Sequence, residues 1–131
     1  MSDPVWQKSG QGRVPEAVML FLAGSDVELD RELLPFDIRA SQAHARGLAR
    51  IGVLTGEQAE RLCRELDALN AAFAAGDFAL DQRFEDSHSA IEWWLSERLG
   101  DTGKRIHAGR SRNDQIAVAL RLYLKDRLAR L

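Results

Sequence analysis

Residues 55–76 read TGEQAERLCRELDALNAAFAAG. Thr55 followed three residues later by Gln58 is a capping-box pattern. The hydroxyl accepts from one orphan N–H of the first turn, and the amide reaches back to another. Behind this start, Ala59, Leu62, Cys63, Leu66, Leu69 and Phe73 recur at spacings that place them on one helical face. Gly76 supplies the left-handed residue that ends a helix. The stretch therefore predicts one amphipathic helix, with Cys63 among leucines as a small buried hydrophobe rather than a reactive thiol.

The same periodicity extends in both directions. Upstream, Phe36, Ile38, Ala40, Ala43, Leu48 and Ile51 recur at spacings of two to five, with Asp37, Arg39, Gln42 and Arg46 between them. This predicts a helix from about Leu34, with Pro35 in the first turn and Gly52 at the end. Residues 1–24 carry Pro4, Gly10, Gly12 and Pro15 and little periodicity, which predicts an extended arm with one helical turn at Glu16 to Leu22. Downstream, Asp77 to Arg83 is a connection. Asp86 and Ser87 are both N-cap candidates for a helix through Ile91, Trp94, Leu95 and Leu99, closed by Gly100. Gly100 to Gly109 predicts a loop. The last helix starts near Ser111 to Asp114 and carries Ile116, Leu120, Leu124, Leu128 and Leu131 with no stop signal, as a helix continuing in a longer chain would.

No strand pattern competes, so the fold class is all-α. The expected organisation is an extended arm over 1–24, a helical domain over 25–110 and the start of a longer helix over 111–131. With 131 residues, 45% apolar and 29% charged, the chain suits one globular domain with a core. A net charge of −2 gives no global attraction to nucleic acid or an anionic membrane. One cysteine excludes an intramolecular disulfide and fits a reducing compartment. No apolar run is long enough to span a bilayer and no signal peptide is read, so a cytoplasmic location is expected.

Three stretches could carry chemistry. In KRIHAGRSRND, 104–114, small residues at Ala108, Gly109 and Ser111 allow a tight turn, and Arg110 and Arg112 offer planar forks for carboxylate or phosphate. The helix N-terminus that follows favours anions. The other reading is that Ser111 or Asn113 caps the helix, Asp114 complements its dipole and the arginines are solvated. In FEDSHSAIEWW, 84–94, Glu85, Asp86 and His88 crowd a helix start. His88 can be a proton carrier, a carboxylate partner or a core histidine. A metal site is not expected, because no second His or Cys sits at ligand spacing. Trp93 and Trp94 point about 100° apart on a helix, so at least one belongs to a core or interface. In AGSDVELDREL, 23–33, Asp26 and Asp30 lie one turn apart. They read either as paired carboxylates or as first-turn acids.

HAGRSRNDQ at 107–115 closely resembles the H-T-G-R-S-R-N-D-Q signature of the argininosuccinate lyase family. EDSH at 85–88 resembles its E-D-[IV]-H. LDRELLPFDIRASQAHARGLARIGVLT, 29–55, resembles its first long helix and the turn after it. The likeness covers about residues 21–131. It implies an all-α, fumarase/aspartase-type fold in which this chain is the N-terminal helical domain running into the first helix of a central bundle. It implies a homotetramer that cleaves argininosuccinate to arginine and fumarate by β-elimination, with no metal or organic cofactor. By the same resemblance, Arg112 and Asn113, with Ser111 beside them, and His88 are substrate-binding, and Asp30 lies near the substrate's amino-acid end. The family has a serine four residues before that aspartate. Here the position is Asp26, with Ser25 beside it. Residue 108 is Ala where Thr is usual. The family's catalytic base lies in a segment with no counterpart within residues 1–131, so the 131-residue chain alone is expected to be inactive. Because relatives keep the motif while losing activity, a crystallin-like structural role is the alternative reading.

Overall fold

The computed structural model describes residues 15–131, so most of the expected N-terminal arm lies outside the described residues. Six α-helices and one 3-10 turn follow in order. They are α1 (Glu16–Ala23), α2 (Asp26–Arg50), α3 (Gly56–Ala75), α4 (Ser87–Leu99), α5 (Asp101–Lys104), a 3-10 turn (Arg105–His107) and α6 (Arg112–Ala129). No strand occurs among the described residues. The all-α class expected from the periodicity is the observed one.

α2 is the axis of the assembly: α3, α4 and α6 all pack against it, and α3 also packs against α4. The core runs through Leu34, Ile38, Ala45 and Leu48 of α2, Leu62, Leu66 and Leu69 of α3, and Ile91, Trp94 and Leu95 of α4. Most of these side chains are removed from water, which stabilises each by about 1.5–3 kcal/mol relative to exposure. The capping box of α3 forms as its sequence requires. Thr55 Oγ1 accepts from the Gln58 N–H, and the Gln58 amide oxygen accepts from the Thr55 N–H. Gly76 ends α3 at φ 80°.

Five sequence expectations need correction. α2 begins at Asp26, not Leu34, so Pro35 stands inside the helix rather than in its first turn. A proline there removes one backbone bond at a cost of about 3 kcal/mol. Burial of Val27, Leu34 and Ile38 at no more than 2% exposure offsets it. The buried face of α2 is also rotated from the expected one. Asp37 and Ser41 are buried, whereas Ala43 and Ile51 are exposed. The glycine-rich segment after α4 is not an open loop but α5 and the 3-10 turn, with Ile106 fully buried. Cys63 is half-buried rather than buried; its Sγ lies 3.8 Å from the Gln42 carbonyl, and burial pushes the thiol pKa up. The arm expected up to residue 24 contains α1, two turns where one was read.

The connection between α3 and α4 closes the core with aromatics. Phe78 packs edge-on to Trp94 with ring centroids 5.6 Å apart, and Phe84 lies 5.6 Å from Trp93. Both tryptophans therefore serve packing. The Trp94 Nε1–H finishes its bonding on the Glu65 carbonyl at 3.0 Å. α5 turns back tightly on α4. A Cβ at Gly103 would meet the Leu95 carbonyl oxygen at 2.2 Å, so only glycine fits this approach. α6 lies along α2, tied by the Phe36–Tyr123 edge contact at 5.6 Å and by an ion pair between Arg127 and Glu32. It buries only Gln115 and Ala119, and Ile116, Leu120, Leu124 and Leu128 stay 43–65% exposed.

Candidate active-site cleft

Two helix N-termini meet at the site. Asp86 is the N-cap of α4, accepting from the Ser89 N–H at 2.7 Å and the Ser89 hydroxyl at 2.8 Å. Its other oxygen accepts from Arg112 Nη1 at 2.8 Å. Arg112 is the first residue of α6, and its Nη2 donates to the Ser89 hydroxyl at 3.3 Å. A cap thus doubles as the anchor of an arginine, and Glu85 stands 3.8 Å away on the same guanidinium. The guanidinium keeps unused N–H donors after these bonds.

Below this contact lies a buried polar junction. Asp37, mid-way along α2, has no exposed surface. Its Oδ2 accepts from His88 Nδ1 and from the Ser87 hydroxyl at 3.2 Å, and its Oδ1 accepts from the Gln115 amide at 2.9 Å. Two turns earlier, Asp30 accepts the Ser87 N–H at 2.9 Å. Burial raises the Asp30 carboxyl pKa above its usual range despite that bond, and the nearby Asp86 and Asp37 add to the rise while His88 opposes it. For His88, burial disfavours the cation. The hydrogen bond and charge of Asp37, with Asp86 and Asp30, outweigh it and raise the ring's pKa.

Asp26, Asp30, Asp86 and His88 line one cleft of about 400 Å³, walled by Leu29, Leu33 and Ile116. The structure therefore brings together five of the residues singled out in the sequence, Asp26, Asp30, Glu85, Asp86 and His88, and sets Arg112 against the same Asp86. A larger groove of about 540 Å³ lies between α2 and α3, lined by Arg46, Arg50, Arg64 and Cys63, and gathers none of these residues. Among the described residues no group of His, Cys, Asp or Glu is arranged to hold a metal ion.

The loop residues divide differently. Ser111 caps α6: its hydroxyl accepts from the Asp114 N–H, and Asp114 accepts from the Ser111 N–H at 2.9 Å. The capping role read for Ser111 is therefore present in the structure. Asn113 is exposed in the first turn of α6, next to Arg112. Arg110 turns inward, donating from Nη1 to Ser41 at 3.3 Å, while its Nε and Nη2 are buried without a partner among the described residues. His44 donates from Nε2 to the Ala108 carbonyl at 3.0 Å and pins the same loop. Burial, reinforced by Arg110 and Arg112, drives the His107 pKa down to about 4. At neutral pH that ring is uncharged, and its 3.6 Å approach to Glu92 is not an ion pair.

Sequence reasoning missed Asp37 and Gln115. The apolar periodicity only places Asp37 between the apolar positions of its helix and assigns it no role. The signal that finds it is spacing: seven residues after Asp30 is two helical turns, one face. It becomes visible only once α2 is started at Asp26.

Residues 14–131 match a family described as Lyase. The chain belongs to this lyase family. It is similar to the N-terminal portion of its members. It is 56% identical over 131 residues to an argininosuccinate lyase of Stenotrophomonas maltophilia, covering 100% of this chain and 30% of that protein. It is 54% identical over the same length to one of Xanthomonas euvesicatoria, again 30% of that protein. A Xylella fastidiosa argininosuccinate lyase is 53% identical, with 29% of its length covered. The chain thus spans about 30% of the length of the curated relatives it matches. No helix among the described residues is long and apolar enough to cross a membrane.

Proposed function

We propose that this chain is the N-terminal part of an argininosuccinate lyase that releases fumarate and arginine in arginine biosynthesis. The observation that carries the reading is the cleft itself. Carboxylates of α2 and the start of α4 share it with His88, and an arginine of α6 stands on Asp86 at its edge. Argininosuccinate has an amino-acid end with an α-ammonium group and a carboxylate, a guanidinium, and a dicarboxylate end. Asp26 and Asp30 suit the α-ammonium group, and Arg112 with Asn113 and His88 suits the dicarboxylate end. In the reaction a base removes a proton from the succinyl carbon adjacent to the one bearing nitrogen. The C–N bond breaks, its electrons go to the leaving arginine, and the double bond of fumarate forms. No residue of this chain is assigned as that base, and no metal or organic cofactor is invoked. Self-association to a homotetramer and a cytoplasmic location belong to the same proposal. The exposed apolar positions of α6 support the first.

The test uses the full-length protein that carries this sequence, with fumarate release from argininosuccinate followed in the ultraviolet. Arg112→Ala is expected to lower kcat/KM by about 10- to 150-fold, the equivalent of one charged hydrogen-bonding partner at about 1.5–3 kcal/mol. Absence of fumarate release by the unmodified protein, or an Arg112→Ala enzyme of undiminished kcat/KM, would defeat the reading.

A further inference from the structure

We propose that Asp37 is a positioning residue: its buried carboxylate holds the His88 ring with Nδ1–H turned inward, leaving Nε2 as the nitrogen offered to the cleft. The proposal rests on the reading of that cleft as a substrate site. Its geometry does not. Asp37 reaches no solvent and takes bonds from two other elements, His88 and Ser87 at the start of α4 and Gln115 of α6. Both carboxylate oxygens are engaged, so the group cannot rotate without losing a donor. His88 is only 5% exposed, yet it lines the cleft wall. A carboxylate has no proton to give, so Nδ1 must donate to it, and the neutral ring then carries its lone pair on Nε2. When the ring is protonated, Nε2–H becomes a donor toward the cleft.

A passive structural role needs only an acceptor at position 37. A carboxylate adds two things that an amide does not: it selects one tautomer and it favours the imidazolium. The charged groups around His88 agree with that bias. From α2 come Asp37 and Asp30; from the start of α4 come Asp86 and Glu85; Arg112 of α6 pairs with Asp86 and Arg110 of the preceding loop acts on Asp37, and the carboxylates still prevail at His88. His107 of the 3-10 turn faces the same group, but its depressed pKa leaves it neutral and without opposing charge near pH 7. Burial pulls the proton off His88, and the hydrogen bond and charge of Asp37 lead the groups that keep it on. The cleft therefore holds a donor that switches to an acceptor as pH rises, with its direction set from behind.

The experiment is nitrogen-15 NMR of the His88 ring through a pH titration, in the unmodified protein and in Asp37→Asn. In the unmodified protein the neutral ring is expected to carry its proton on Nδ1, with a midpoint above the ordinary histidine value of about 6.5. In Asp37→Asn the midpoint is expected to fall by about one unit or more, with the two tautomers mixed. A neutral ring protonated on Nε2, a midpoint at or below the ordinary value, or an Asp37→Asn spectrum that titrates like the parent would each overturn the proposal. The parent titration decides the matter even where Asp37→Asn fails to fold. In the full-length protein, the kcat/KM profile of Asp37→Asn should shift along the pH axis in the direction of the NMR midpoint. A uniform loss with an unshifted profile would mark Asp37 as structural only. None of the NMR readouts requires turnover, so failure of the lyase reading and failure of this one are separable.

Discussion

Between α2 and α3 the chain buries Leu34, Leu48, Leu62, Leu66 and Leu69, whereas between α2, α4 and α6 it buries Asp37, Ser41, Ser87, His88 and Gln115. One helix supplies both surfaces, and the two are stabilised by different physics. The aliphatic side gains from area removed from water and from close packing, neither of which fixes a direction. The polar side gains little net from each hydrogen bond, but each donor left unmade costs its full desolvation. The first makes the domain stable. The second fixes the geometry at His88, since few arrangements satisfy both oxygens of the buried Asp37 carboxylate, even though the Gln115 amide oxygen beside it finds no partner.

The largest effect should come from the aliphatic side. Leu66→Ala, at a side chain with no exposed surface, is expected to cost about 2–5 kcal/mol in a urea unfolding titration. A loss under that range would mean that the seam closes around the cavity. Gly103→Ala comes next. The added methyl has only backbone atoms of Leu95 and Ser96 to push against, so α5 must move off α4 at a cost of about 1–3 kcal/mol. An unfolding midpoint equal to the parent's would show that α5 shifts freely. On the polar side, Gln115→Leu keeps the bulk and removes the donor to Asp37 Oδ1. Its cost is expected at about 1 kcal/mol, the low end for an acceptor left unpaired, because the change also removes the Gln115 amide oxygen, which is buried without a partner. If Gln115→Leu proves more stable than the parent, the junction was an energetic burden kept for another reason.

The contrast also explains what could be read in advance. The seam was legible because leucines at helical spacing announce a buried face, and α3 with its capping box and Gly76 follows the sequence almost residue for residue. The junction was not, because its buried face is written in polar residues. Asp37 and Ser41 interrupt the apolar stripe of α2, so periodicity placed the stripe on Ala43 and Ile51, and Pro35 seemed to mark a start. Of the candidate site, Asp26, Asp30, His88 and Arg112 were found by residue type and resemblance. The side chains that hold them, Asp37, Ser87 and Gln115, make long-range contacts that no local pattern encodes. Ser111, named with the substrate-binding residues by resemblance, also caps the helix it starts, a role that the local pattern does encode.

The last effect is a change of slope, and it separates two histidines that the junction treats in opposite ways. His107 is held neutral in the folded chain, its pKa lowered to about 4 by burial and by Arg110 and Arg112. Unfolded, it titrates near about 6.5. As pH falls from the unfolded value toward the folded one, the unfolded state takes up a proton that the folded state refuses. The stability that His107 leaves intact above the unfolded value is therefore lost on the way down. His88 has the opposite sign. Its raised pKa contributes stability present in full below the ordinary value and lost as pH rises through the folded one. Asp30 and Glu92, both raised by burial, titrate in the acid window as well, so the parent's profile alone does not isolate either ring. The difference between His107→Asn and the parent does, because the shared groups cancel. Unfolding free energies of the two proteins, compared at a series of pH values, should shift in favour of His107→Asn as pH falls between the unfolded and folded values. They should run parallel above that window. Parallel curves throughout would mean that the ring reaches water and that the loop carrying His107, Arg110 and Arg112 sits more loosely on α2 than the His44 and Ser41 bonds imply.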